Sequence, residues 1–390
     1  MKQTTLLRAV VVAALLALCP QFSRAQVNSG STGSDGALDF SNITYRTNIV
    51  IDMHDHPTGI YNYTYINIPG GVTVSFIPNA SNSPVTWLVQ SNCEIDGVVN
   101  VSGQEATSTS GGAGGPGGWA GASSVNNAGQ GPGGGLSGSY GANASYGSLG
   151  SQYLEFQPSP GLIYGNNFLI PLLGGSGGGA GINYSFGGGG GGGAILIAAS
   201  GMVTINGSVS ASGGGGSGAG SGGAIRLVAS QIIGGGGIGT SGGNPINFGQ
   251  FLAGTGRVRF DTLQNSFGGG IIGVFTQGFQ PIIIPVAGQG AQLTIASVGG
   301  TSVSPNPSGQ LVSPDAIISS QQANPIPVVV NCANIPLNTP ITVTVQPANG
   351  TSVSATGNNT TGTLASSTAT VSLVMPRGGG LIYATAAIGN

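Results

Sequence analysis

Gly192-Gly193-Ala194-Ile195-Leu196-Ile197-Ala198-Ala199-Ser200 returns about 30 residues later as Gly222-Gly223-Ala224-Ile225-Arg226-Leu227-Val228-Ala229-Ser230. Gly254-Thr255-Gly256-Arg257-Val258-Arg259-Phe260-Asp261 reads as a third, diverged copy. That spacing lies within the range of repeat architectures. Each copy is one short apolar strand behind a glycine tract. A strand so short is unstable alone and must pair with its equivalent in the next repeat.

A second unit recurs beside the first. The segment Cys93 to Gly103 has the shape of Met202 to Gly213: an alternating strand, a polar-glycine turn, a second alternating strand, then glycine. Upstream, Tyr61 to Ile68 ends at Pro69-Gly70-Gly71, and Val72 to Ile77 ends at Pro78-Asn79. Short period-2 runs bounded by turn residues are strand signatures. Corner glycines are expected to supply backbone angles that other residues resist. The fold expected is all-β. Residues 26–279 should form a right-handed parallel β-helix-like solenoid with glycine-rich loops and Ile, Leu and Val inside. An antiparallel sandwich of the same strands is the competing arrangement.

The chain holds 76 glycines in 390 residues, yet 39% of its residues are hydrophobic and fall in ordered runs. A flexible linker has no use for Ile195-Leu196-Ile197 between two glycine tracts. The tracts Gly111 to Gly150 and Gly174 to Gly193 leave two readings. They are flexible loops extruded from the coil, the expected state, or polyproline-type helices whose small residues allow close contact. Tyr153 to Leu173 is too apolar for a free linker and should dock as a cap or long loop. After Phe279 glycine thins out. Strands expected at Ala291 to Val298, Ile326 to Cys332, Ile341 to Gln346, Ala369 to Met375 and Leu381 to Ile388 suggest an immunoglobulin-like β-sandwich over 280–390. The boundary falls near Gln280-Pro281.

Lys2 and Arg8, an apolar run from Ala9 to Leu18, and Ser23-Arg24-Ala25 read as a secretory signal peptide over 1–25. The apolar run is shorter than the roughly 20 residues that span a bilayer. Cys19 lies between Leu18 and Pro20, which departs from a lipidation site. The expected location is secreted, extracellular or at the cell surface, with no membrane span. Charged residues make up 5% of the chain, against roughly 25% in ordinary soluble domains. Lysine is missing after the signal, and the remaining basic residues are Arg46, Arg226, Arg257, Arg259 and Arg377. Nucleic-acid binding needs a denser basic footprint. Cys93 and Cys332 are far apart in sequence; export favours a disulfide between them, but buried free thiols are the expected state.

Asp35-Gly36-Ala37-Leu38, Ile66 to Val74, Ile95 to Gly103 and Gly222 to Leu227 resemble segments of exported bacterial glycine-rich β-helix-like proteins. The resemblance covers roughly Asp35 to Phe260. It implies location and architecture rather than an activity, since the group has none established. The C-terminal part resembles bacterial immunoglobulin-like modules, which often occur on surface proteins.

Chemistry is sparse. Asp52-Met53-His54-Asp55-His56 carries both histidines. On a strand, Asp52, His54 and His56 share a face and could serve as metal ligands; the competing reading is a solvated hairpin approach. Glu94 and Asp96 share a strand face, but Asp96 precedes Gly97 and reads as a turn residue. The other carboxylates are scattered, unlike the paired acids of a glycosidase. Arg257 and Arg259 share a strand face that could grip an acidic sugar; the preferred reading is a solvated stripe or pairing with Asp261. Tyr61, Tyr63 and Tyr65 alternate on one face as a candidate sugar-stacking stripe or as core. No cofactor is expected. The reading is a structural or adhesive protein without catalytic activity; the alternative is a carbohydrate-binding or polysaccharide-degrading β-helix protein. Extracellular polysaccharide, neighbouring surface proteins or a second copy are the expected partners.

Overall fold

The computed structural model describes residues 27–43, 45–108, 110–123, 127–152, 157–182, 186–246, 252–278, 291–304, 307, 314–347 and 351–386. The expected signal peptide and the boundary at Gln280-Pro281 lie outside them.

The N-terminal strands are β1 (Leu38–Asp39), β2 (Thr47–Asp52), β3 (Ile60–Tyr63), β4 (Ile66–Ile68), β5 (Val72–Ile77), β6 (Val85–Val89), β7 (Cys93–Ile95) and β8 (Val98–Asn100). After a long glycine segment come β9 (Ala194–Ala199), β10 (Met202–Ile205), β11 (Ser208–Ser210), β12 (Ala224–Gly234), β13 (Gly237–Gly239), β14 (Arg257–Phe267), β15 (Gly270–Ile272) and β16 (Val274–Gly278). The recurring units pair with their equivalents. Ile195 sits opposite Ile225, Ile225 opposite Val258, and Cys93 opposite Val203, all in parallel. Parallel ladders throughout these strands rule out the antiparallel sandwich.

The solenoid, however, is not what forms. The ten-stranded sheet climbs through β1, β4, β7 and β10, reaches β12, and returns through β9, β6 and β3. With the six-stranded sheet β15-β13-β11-β8-β5-β2 it makes a near-closed, barrel-like parallel wall. The cause is the length of β12, 11 residues. Its first half pairs with β9 and its second half with β10, which fuses two rows into one sheet. Val74, Val99, Trp87, Ile95, Ile197, Ile225 and Phe260 fill the interior. Every residue of β9 is buried. Ile195 and Ile197 face that interior, while Leu196 and Ala198 pack outside with Val27, Leu88 and Val228. Covering both faces is why this strand reads as an unbroken apolar run.

The glycine tracts are not extruded loops. Gly187, Gly190 and Gly193 donate backbone hydrogen bonds to Thr107, Gln104 and Val101; Gly188, Gly191 and Ala194 donate to Ala122, Trp119 and Pro116; Gly189 and Gly192 donate to Gly218 and Ser221. The partner changes with each residue and returns every third, the period of the polyproline II helix. Carbonyls of the same segment accept from Gly112 and Gly115, from Gly178 and Gly175, and from Ser217 and Gly214. Gly187–Gly193 is thus cross-linked to six neighbouring segments. The packing demands glycine through clearance, not through backbone angle. A Cβ on Gly191 would lie 2.0 Å from the Gly175 carbonyl oxygen. The same holds at the strand corners: a Cβ on Gly207 would lie 1.9 Å from the carbonyl oxygen of Gly97, stacked against it. Gly71, at φ 91°, is a corner where the expected angle does apply.

Of the segment expected to dock, residues 157–173 are described, and they do so. Tyr164 and Leu169 are buried, and Tyr164 Oη donates to Gly174 O at 2.6 Å.

The C-terminal strands are β17 (Gln292–Val298), β18 (Thr301–Ser302), β19 (Ile326–Ala333), β20 (Pro340–Pro347), β21 (Val353–Asn358), β22 (Thr361–Gly362), β23 (Ser367–Leu373) and β24 (Gly380–Ala386). They form antiparallel sheets β18-β17-β19-β23-β22 and β21-β20-β24 around one core that includes Val328, Val330, Ile341, Val343, Val371 and Leu373. The expected immunoglobulin-like sandwich is not reproduced: five strands face three, where that fold sets four against three.

Candidate functional site

The strand expected to align Asp52, His54 and His56 stops at Asp52. A 3-10 turn, Met53–Asp55, follows and buries Met53 beneath it. Asp52 caps this turn. Its Oδ1 accepts from the His54 backbone N at 3.0 Å and lies 2.6 Å from His54 Nδ1. These bonds hold the Asp52 carboxyl below the usual carboxylate range, the backbone N–H contributing most. His56 goes elsewhere. Its Nε2 lies 3.4 Å from Asp35 Oδ1, and its ring stacks on Tyr61 with centroids 4.0 Å apart. The residues therefore form two pairs, Asp52 with His54 and Asp35 with His56. Among the described residues no group of three or more His, Cys, Asp or Glu gathers as a metal shell.

The tyrosine stripe divides. Tyr61 and Tyr63 are buried, stacked at 5.8 Å, and Tyr63 meets Trp87 edge-on at 6.2 Å. Burial, with Asp35 nearby, pushes the Tyr61 phenol up to about 12. Tyr61 Oη and Trp87 Nε1 are buried without a hydrogen-bond partner among the described residues. Tyr65 is on the surface and donates to Asp39 Oδ2 at 2.6 Å, which lowers the Asp39 carboxyl and raises the phenol. Glu94 is exposed, and Asp96 accepts from Asn206 of the neighbouring turn at 2.9 Å.

The arginines form no solvated stripe. Arg226, Arg257 and Arg259 are all buried, and Asp261 is 0% exposed. Asp261 Oδ2 accepts from Arg226 Nε at 2.9 Å and Arg259 Nε at 3.1 Å. The Nη2 atoms of both arginines also approach Asp261, at 2.8 and 2.6 Å, as ion-pair contacts poorly angled for hydrogen bonds. Burial lowers the Arg226 pKa and Asp261 opposes that. Arg257 Nε and Nη2 donate to Tyr164 O, Arg257 Nη1 donates to Asn167 Oδ1, and Arg259 Nη1 donates to Asn167 O. Arg257 and Arg259 thus clamp the segment 164–168 against β14, and Asp261 joins Arg259 to Arg226 of β12 behind it. Sequence reasoning offered the Asp261 pairing only as an alternative. The signal for the rest was Arg226, at the register position of Arg259 in the preceding repeat.

Cys93 and Cys332 are both free and buried. Burial raises the Cys93 thiol far above its ordinary value. No helix among the described residues is long and apolar enough to cross a membrane.

The described parts of the glycine segments also meet away from the wall. The segments leave the wall after β8, β11 and β13 and return at β9, β12 and β14. Their outer turns meet. Gly187 N donates to Thr107 O, Gly138 N to Ala180 O, Ile182 N to Gly138 O, Ser217 N to Gly187 O and Ile246 N to Gly216 O, at 2.8–3.3 Å. A rigid scaffold carrying loops at one end is the usual way proteins place binding residues. No known protein family, curated protein or solved structure matches this chain.

Proposed function

We propose that this is an exported structural or adhesive protein that holds a surface in place and turns over no substrate. The observation that carries the reading is the glycine bundle, in which one backbone segment is hydrogen-bonded to six others. Backbone amides replace side chains as the cohesive element, so the body needs almost no charge to be rigid. The carboxylates support the same reading. Asp35, Asp39, Asp52, Asp96 and Asp261 each hold a local partner. A general acid needs a raised pKa, and the shifts at Asp39 and Asp52 run downward. Export follows from the sequence of residues 1–25 and from the resemblance to exported glycine-rich proteins.

The test has two arms. Expression with the leader in a bacterial host should yield extracytoplasmic protein whose mass places cleavage after Ala25. The purified chain should release no reducing ends or unsaturated sugars from a polysaccharide panel. Robust turnover lost in Glu94→Gln or Asp96→Asn overturns the non-catalytic reading.

A further inference from the structure

The wall ends in an open strand edge. β2 pairs with β5 on one side, and no strand among the described residues pairs with its other edge. Thr47 N donates to Gly71 O, so Thr47, Ile49 and Ile51 direct their amides at β5. Backbone groups alternate along a strand, and those of Asn48, Val50 and Asp52 therefore point away from the ladder. This end of the core is also incompletely covered. Ile49 and Ile51 are only half-buried, whereas Val74, opposite Ile49 in β5, is 0% exposed. The adjoining edge differs: Asp35 N donates to Asn62 O and Ser31 Oγ to Tyr63 O, so the chain itself covers β3. Proteins usually block an exposed edge with Lys or Pro. Asn48-Ile49-Val50-Ile51 carries neither, and Val50 is 54% exposed. Charge sits only at the two ends, on exposed Arg46 before the strand and exposed Asp52 at its close. Among the described residues Arg46 is in no ion pair, and His54 engages Asp52 through Oδ1.

We infer that β2 is the interface of a two-fold homodimer, in which it pairs antiparallel with β2 of a second copy. Backbone and charge together set the register. Outward-facing residues must lie opposite one another to exchange both N–H···O bonds. Placing Asn48 opposite Val50 does this, and the two-fold axis repeats it. The same register sets Arg46 opposite Asp52 at both ends of the pair, where opposite charges across strands attract. Ile49 then faces Ile49 of the second copy and Ile51 faces its Thr47, so the half-buried core of this end gains cover. Sliding the pair by two residues keeps the backbone bonds but parts Arg46 from Asp52. Sliding it by one turns inward-facing backbone groups toward outward-facing ones. The pairing closes on itself and leaves β15, at the opposite end of the wall, unused. It does not depend on the adhesive reading above.

Sedimentation equilibrium of the mature chain tests the pairing. The protein should follow a monomer–dimer equilibrium with no larger species. Arg46→Glu sets like charges opposite at both ends and should raise the dimer Kd about tenfold. Asp52→Arg should do the same. Mixed in equal amounts, these two variants should dimerise again, because each new charge then meets its opposite on the other chain. Val50→Lys, at an exposed position, places a charge on the edge and should also raise the Kd at least about tenfold. Its circular dichroism should match the parent, and it keeps the test decisive if Asp52→Arg, which removes the cap of the following turn, fails to fold. Ile272→Lys, on exposed β15, should change nothing. A monomer at every concentration, dimers indifferent to Arg46→Glu and Val50→Lys, a mixture of folded variants that stays monomeric, or growth past the dimer that Ile272→Lys stops overturns the inference.

Discussion

Gly190→Ala probes the glycine bundle at its centre. The new methyl group would lie 2.0 Å from the Ala113 carbonyl oxygen, 2.5 Å from its carbon and 2.9 Å from the Gly112 oxygen. These are backbone atoms, so no rotamer change relieves the overlap. The segments must part by about 1.4 Å to reach ordinary contact. Two hydrogen bonds join these segments and resist the parting, Gly112 N to Gly188 O at 2.9 Å and Gly115 N to Gly191 O at 3.0 Å. Each is worth about 1 kcal/mol net, and forced overpacking adds about 1–3 kcal/mol. The substitution should therefore destabilise the bundle by about 3–5 kcal/mol. Gly239→Ala is the control, because nothing lies within 4 Å of its Cβ position. Neither glycine has a positive φ, so backbone strain cancels from the comparison, and the control should fall within about 0.5 kcal/mol of the parent. Urea titrations read the two regions apart: of the two tryptophans, Trp119 meets Tyr164 inside the bundle and Trp87 lies in the wall. A Trp119→Phe background isolates the wall signal. Equal midpoints for Gly190→Ala and Gly239→Ala would refute the steric argument.

Other substitutions test the remaining features. Asp261→Ala leaves Arg226 and Arg259 buried without their counter-ion and should cost about 3–5 kcal/mol in chemical denaturation; a loss under 1 kcal/mol contradicts the clamp. Tyr61→Phe removes a buried, unpartnered hydroxyl and should stabilise the protein by about 1 kcal/mol by the same assay. Because the folded Tyr61 phenol is raised from 10 to about 12, unfolding releases its proton first, so stability is complete below pH 10 and declines between pH 10 and 12. Tyr61→Phe should shallow that decline. Cys93, buried and with its thiol raised, should resist a disulfide reagent until the chain is denatured; modification of native protein at the free-thiol rate opposes the buried placement.

The strands were legible because their signals are local. Alternation and turn residues located β4, β5, β7, β8, β10 and β11, and the repeated Gly-Gly-Ala units predicted the pairing of Ile195 with Ile225. How the rows join was not legible. It depends on β12 running on from Ala224–Val228 through Ser230 into Gln231–Ile233, and the sequence breaks the apolar pattern there with a serine typical of a turn. The glycine tracts hid more. Glycine carries no side-chain period, so a tract bonded to six neighbours and a loose loop look alike in composition. Only the partner of each amide distinguishes them, and those partners are distant in sequence: Gly190 pairs with Gln104. The metal reading of Asp52, His54 and His56 assumed strand alternation as far as His56, four residues past the end of β2 at Asp52. Asp52 is a favoured N-cap residue, and that signal marks where the strand yields to a turn.

Amide hydrogen exchange over Gly187–Gly193 tests the account most directly. All seven of these residues donate backbone hydrogen bonds inside the bundle, at 2.7–3.2 Å. Peptides covering this segment should be protected as strongly as those covering Ala224–Ala229 of β12. Exchange at the rate of an unstructured glycine chain, with β12 still protected, would contradict it.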